Sequence, residues 1–182
     1  IYHETALNLS FLSKTEYKGY AQKSFDILTE LFNSSETTKE LLPFIASYRA
    51  SALSLTGAET KKLGLLFKAF PLFDEAVKNY SHVSSYPEFL RASVSENLPW
   101  IFFWLTKYAK TDFQSIIDKQ NENNNYANWK IMSFTYWAWA KQRQDTKHRT
   151  QAMAYLDKAI ALDPNYKAGR QKAEDLKNKF LK

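Results

Sequence analysis

Cysteine is absent from the 182 residues of this chain, so disulfides, thiolate metal sites and cysteine nucleophiles are all excluded. The compartment is left open by that absence. Glycine occurs only at Gly19, Gly57, Gly64 and Gly169, and with that spacing neither the dinucleotide fingerprint nor the Walker phosphate loop can be written. His3, His82 and His148 are scattered, and none stands at i+4 to another as a two-histidine zinc helix requires. Long apolar runs are missing too. The longest, Leu98 to Leu105, is far shorter than the ~20 residues that span a bilayer. Adjacent carboxylates such as Asp74-Glu75 and Glu174-Asp175 leave a helix in different directions and read as solvated surface, not as an acid–base pair. Neither catalysis, cofactor nor metal is expected.

What is present favours a packed core. Hydrophobic residues make up 45% of the chain and only five residues are proline, which suits one mostly helical domain over 1–182. Aromatic residues reach 16%, enough for rings to line a surface groove after the core is filled. The formal charge is +6, and the basic residues are diffuse along the chain. Their densest group, Lys141, Arg143, Lys147, His148 and Arg149, falls where a turn is expected, and the C-terminal lysines fall on one helix face. Nucleic acid is therefore not the expected partner, with RNA or an anionic surface kept as an alternative.

The spacing predicts about eight helices. Ile1 to Leu12 reads as a short apolar segment closed by Ser13 and Lys14, and Thr15 to Phe32 carries Tyr17, Tyr20, Ala21, Phe25, Leu28 and Phe32 at helical steps. A start near Thr37-Thr38 with Glu40, tolerating Pro43, leads to a helix that Gly57 ends, and Lys61 to Tyr80 follows with Pro71 inside it. Tyr86 to Tyr108, broken or kinked at Pro99, precedes a short helix over Thr111–Gln120, and the Asn-rich stretch 121–128 reads as a loop. Tyr166, Gly169, Ala173, Leu176 and Phe180 form one stripe of a last, capping helix.

A repeat underlies this order. Tyr136, Ala140, Ala152, Leu156 and Ala159 are spaced as Leu53, Gly57, Ala69, Phe73 and Ala76, and Pro164 closes the later copy. Two helices approach to about 8–10 Å only where small side chains meet, so Gly57 against Ala69 and Ala140 against Ala152 are expected contacts. Tyr48-Arg49-Ala50-Ser51 is echoed by Leu90-Arg91-Ala92-Ser93, which adds a diverged copy between the two.

In these residues, most clearly Tyr136 to Pro164, the chain resembles the tetratricopeptide repeat (TPR) family. It departs from the family where Thr56, Thr60 and Arg143 replace large apolar residues and Ser81 replaces the closing proline. The resemblance implies an all-α solenoid: N-terminal helices over 1–33, hairpins over 37–80, 86–120 and 126–164, and the cap over 166–181. It also implies a concave face that holds a protein or peptide partner.

Phe134, Trp137 and Lys141 follow one stripe on the side that lines the concavity in the family, and Trp100, Phe103 and Trp104 are candidates for the same surface. Arg49 and Arg91 recur at one place in two copies. They are expected to pair with Glu75 or Glu96 inside the fold, or to face an acidic ligand. The expected function is a non-enzymatic scaffold of the bacterial cell envelope or periplasm. The alternative is an accessory ligand-binding subunit of a periplasmic solute transporter, for which a closed apolar pocket is the signature. Beginning at Ile1, the chain reads as a processed or trimmed polypeptide, whose targeting segment or lipid tether, if it had one, would have preceded it.

Overall fold

The helical periods resolve into an all-α structure. A computed structural model describes residues 2–9 and 16–181, among which there are nine α-helices, two 3-10 turns and no strand. Ser13, Lys14 and Thr15 lie outside the described residues. The chain divides into two compact units, one ending at Val94 and one beginning at Ser95.

The N-terminal unit holds α1 (Tyr2–Leu9), α2 (Tyr20–Asn33), α3 (Leu42–Thr60), α4 (Gly64–Tyr80) and most of α5 (Tyr86–Glu96). Helix α3 packs against α1, α2 and α4, so nearly all of its faces are covered. Its composition permits this. Ala46, Ser47, Ala50, Ser51, Ala52, Ser54 and Gly57 are all buried and small, letting neighbours approach from several sides. The buried hydroxyls of Ser54 and Thr56 donate to the carbonyls of Ala50 (3.1 Å) and Ala52 (2.9 Å), which meets their polar need within the helix. Phe73 of α4, fully buried, meets Ala50 and Leu90 in the core, with Tyr48, Leu72, Phe89 and Val94 around them. Burial of a ring of that size contributes roughly 2–3 kcal/mol.

The C-terminal unit holds α6 (Thr106–Glu122), α7 (Trp129–Lys141), α8 (Arg149–Leu162) and α9 (Arg170–Phe180). Helix α7 is its axis, packed on α6, α8 and α9. It reads WKIMSFTYWAWAK and is apolar on nearly every side, as a helix enclosed by three others must be. Asn128 starts it by accepting from Lys130 N (3.0 Å) and Ile131 N (3.1 Å), so the Asn-rich loop ends in a cap.

Two buried polar groups fix the turn into α9. Ser133 Oγ donates to Ala159 O (2.8 Å) and accepts from Gly169 N (3.1 Å), tying α7 to α8 and to the last turn. A Cβ on Gly169 would lie 2.5 Å from Ser133 O, so only glycine lets the backbones approach this closely. Asp163, fully buried, accepts from the backbone N–H groups of Lys167, Ala168 and Arg170 at 2.8, 2.8 and 3.2 Å. Burial alone would raise its carboxyl, but the three donors and the Arg170 charge outweigh that and hold it below the usual carboxylate range.

Several expectations are corrected. Helix α3 starts at Leu42, not near Thr37, and runs past Gly57 to Thr60, where Lys61 takes a left-handed φ of 57° and stops it. Gly57 serves packing: a Cβ there would sit 3.2 Å from Leu65 Cβ and 3.3 Å from Lys62 O, so it admits the start of α4. The run over 86–108, expected to break or kink at Pro99, does break, its first helix ending at Glu96, and the segment expected over Thr111–Gln120 is part of the longer α6. Pro99 explains the break, since Leu98 before it is pushed away from helical geometry. The last helix begins at Arg170. Tyr166 leaves the apolar stripe: it is 52% exposed and lies against the Arg170 guanidinium, 4.4 Å from ring centroid to Cζ.

Candidate functional site

The eight residues singled out by sequence fall in three environments. Trp100, Phe103 and Trp104 are at the surface, 84%, 69% and 44% exposed. Pro99, extended at ψ 151°, delivers the chain into a run of i→i+3 hydrogen bonds: Phe102 N to Pro99 O, Phe103 N to Trp100 O, and Leu105 N to Phe102 O. With three residues per turn, side chains three apart eclipse one another. Trp100 and Phe103 therefore share the outer side while Phe102 and Leu105 share the buried one, and Ile101 and Trp104, each 44% exposed, flank the outer pair. Ile101 was not singled out by sequence; the period of three at residues 99–106 is what adds it.

Phe134 and Trp137 lie together under cover, with Lys141, half-exposed, beside Trp137 at 5.4 Å from Nζ to ring centroid. Trp137 is 9% exposed. Lys172, brought in by α9, places Nζ 4.6 Å from the Trp137 centroid and 5.0 Å from that of Phe134. Lys141 pairs with Glu96 (2.5 Å), which also accepts from Gln142 Nε2 (2.6 Å). Partial burial against the rings and the nearby Lys141 charge lower the Lys172 ammonium, with Glu96 opposing. Lys172 was read from sequence as part of a solvated face; its amphipathic stem instead covers aromatic surface.

Arg49 and Arg91 are used inside the N-terminal unit. Arg49 stacks on Phe32 (3.9 Å) and pairs with Glu75 (3.6 Å). Arg91 pairs with Asp74 (2.7 Å), not with Glu96. Asp74-Glu75, read as plain solvated surface, thus receives one arginine from α3 and one from α5 while each carboxylate stays half-exposed.

Arg143 has no such ion pair among the described residues, although Arg49 too keeps one nitrogen, Nε, buried without an acceptor. Arg143 is 7% exposed, its Cζ lies 4.3 Å from the Trp139 centroid, and its Nη2 reaches only the Lys110 carbonyl at 3.4 Å. Nη1 is buried and has no acceptor, and among the described residues no carboxylate is paired with this guanidinium. It lines an open groove of about 650 Å³ that runs along α6 past Lys110, Thr111, Gln114, Asp118 and Glu122. A second open cavity, about 620 Å³, lies in the N-terminal unit beside Pro43, Phe44 and His82. The sequence signal for Arg143 was its departure from the repeat pattern, a cation where a large apolar residue was expected.

One acid–imidazole–hydroxyl chain exists: Glu4 Oε1 lies 3.3 Å from His3 Nδ1, and His3 Nε2 lies 2.9 Å from Ser51 Oγ. Ser51 is buried in the middle of α3, where the backbone N–H groups are engaged in the helix. Tyr48 packs on His3, and burial, with Glu4 and Tyr86 adding, pushes its phenol up to about 12.

No helix among the described residues is long and apolar enough to cross a membrane, and no group of three or more metal-ligating side chains occurs among them. No protein-family model, curated protein or solved structure matches the chain, so the arrangement described above rests on its own residues.

Proposed function

We propose that this chain is a non-enzymatic binding module, a TPR-like set of helical hairpins that holds a protein or peptide partner. The observation that carries the reading is Arg143. Burial lowers the Arg143 guanidinium, and Asp145, which attracts it without forming an ion pair, and the stack on Trp139 repay only part of a cost of several kcal/mol. A partner carboxylate entering the α6 groove beside Lys110 supplies the missing charge to both cations. The Asp118 and Glu122 end of the groove then faces the partner's donors. This replaces the groove expected on Phe134 and Trp137, which Lys172 covers. Cell-envelope placement belongs to the same reading. The transporter-subunit alternative calls for a closed apolar pocket, and both cavities described are open.

The test is binding of a fluorescein-labelled Glu-rich decapeptide, followed by anisotropy at moderate salt. The Arg143→Met variant keeps an apolar stem on Trp139 and is expected to bind at least about tenfold more weakly, as loss of a partly buried charge pair predicts. Lys147→Met, an equal charge loss at an exposed turn, is expected to change little. Equal weakening by both variants would reduce the effect to net charge and sink the proposal.

A further inference from the structure

We infer that residues 97–111 form an interfacial anchor, with the aromatic turn at Trp100–Trp104 seated in the headgroup layer of an anionic lipid bilayer. It shares Lys110 and Thr111 with the Arg143 groove but rests on different observations. A tryptophan at 84% exposure and a phenylalanine at 69% project from the surface, so no cleft of the protein receives them. They sit on a tight turn whose inner residues, Phe102 and Leu105, are buried, which holds the outer rings out. Indole and phenyl rings with an isoleucine between them, carried on a short convex element, suit the boundary between acyl chains and headgroups.

Charge selects the kind of bilayer. From Asn97 to Thr111 there is no acidic residue, while Lys107 and Lys110 are both exposed at the start of α6. The whole excess charge lies in this half: residues 95–182 carry fifteen Lys and Arg against nine Asp and Glu, whereas residues 1–94 carry ten of each. Asymmetry of that kind points to an anionic surface, and each lysine near such a surface adds attraction that fades within a Debye length. A protein partner would favour a groove for anchor residues; a membrane requires only projecting rings and a basic surround.

The experiment is co-sedimentation of the full chain with unilamellar vesicles of phosphatidylcholine, with or without phosphatidylglycerol. Trp100→Ser/Phe103→Ser and Lys107→Gln/Lys110→Gln double variants are run beside it, each checked for unchanged helicity. The wild type is expected to partition onto the anionic vesicles with a blue shift in tryptophan emission. The aromatic double variant is expected to lose about tenfold or more of that partitioning, and the lysine variant, or added salt, severalfold. Absence of vesicle binding by the folded wild type overturns the inference, as does binding that the aromatic variant leaves intact. So does a dimer that forms without lipid and is abolished by the aromatic substitutions, since a second copy would then cover the turn.

Discussion

The two units differ in whether a buried arginine finds an ion pair. In the N-terminal unit Arg49 and Arg91 each find a carboxylate on α4, the charges of that half balance, and its helices close around α3. In the C-terminal unit Arg143 is buried against Trp139 with no carboxylate, basic residues outnumber acidic ones, and four apolar side chains stand at the surface between residues 100 and 104. The surfaces proposed above for binding are those where polar and apolar groups remain unsettled. A residue type alone does not reveal them.

The comparison can be broken most forcefully at Gly169. Gly169→Ala drives a methyl group into the Ser133 backbone and is expected to cost roughly 3 kcal/mol or more. Amide hydrogen exchange should show α7–α9 losing protection while α3 and α4 keep theirs; equal loss in both units would erase the distinction between them. Next in size is Asp163→Asn, which keeps the shape but removes a buried charge from three N–H donors, at about 2 kcal/mol.

Acid acts on the same group. The Asp163 carboxyl is depressed in the folded state, so its contribution is present above the unfolded value and is lost as pH falls through the folded one. Far-ultraviolet melts below pH ~4 should therefore show the C-terminal unit weakening, and Asp163→Asn should flatten that pH dependence.

Smaller effects sharpen the arginine contrast. Arg49→Met removes an ion pair to a half-exposed carboxylate and a stack on Phe32, and is expected to cost about 1 kcal/mol in urea unfolding. Arg143→Met removes a buried charge that has no ion pair and is expected to be neutral or to raise the melting temperature of the unliganded protein. A loss at Arg143 as large as at Arg49 would mean that the fold already satisfies it. Arg91→Gln, breaking a pair to another half-exposed carboxylate, should fall at or below about 0.5–1 kcal/mol.

Much of the helical order was legible. The stripe Ala173, Leu176, Phe180 and the small residues Ala140, Ala152 and Ala159 are buried as their spacing required, because a helix places i, i+3 and i+4 on one face whatever surrounds it. The Arg49–Glu75 pair was among the expected pairings. The break after Glu96 was only partly legible, since Pro99 marks an interruption but not how far the 3-10 turns continue. Covering of Trp137 was not legible at all: Lys172 lies 35 residues further on, and nothing local to α7 announces it.

The sequence by itself determined an all-α chain with no thiol chemistry, no phosphate loop, and an aromatic content beyond what a minimal core requires. Those properties follow from composition and short-range periodicity, which act within a few residues. Tertiary structure alone decided which arginines are neutralised, which rings are covered and which stand free. Those outcomes depend on what another helix brings to within 3–5 Å, and a partner that arrives from tens of residues away leaves no mark on the local pattern.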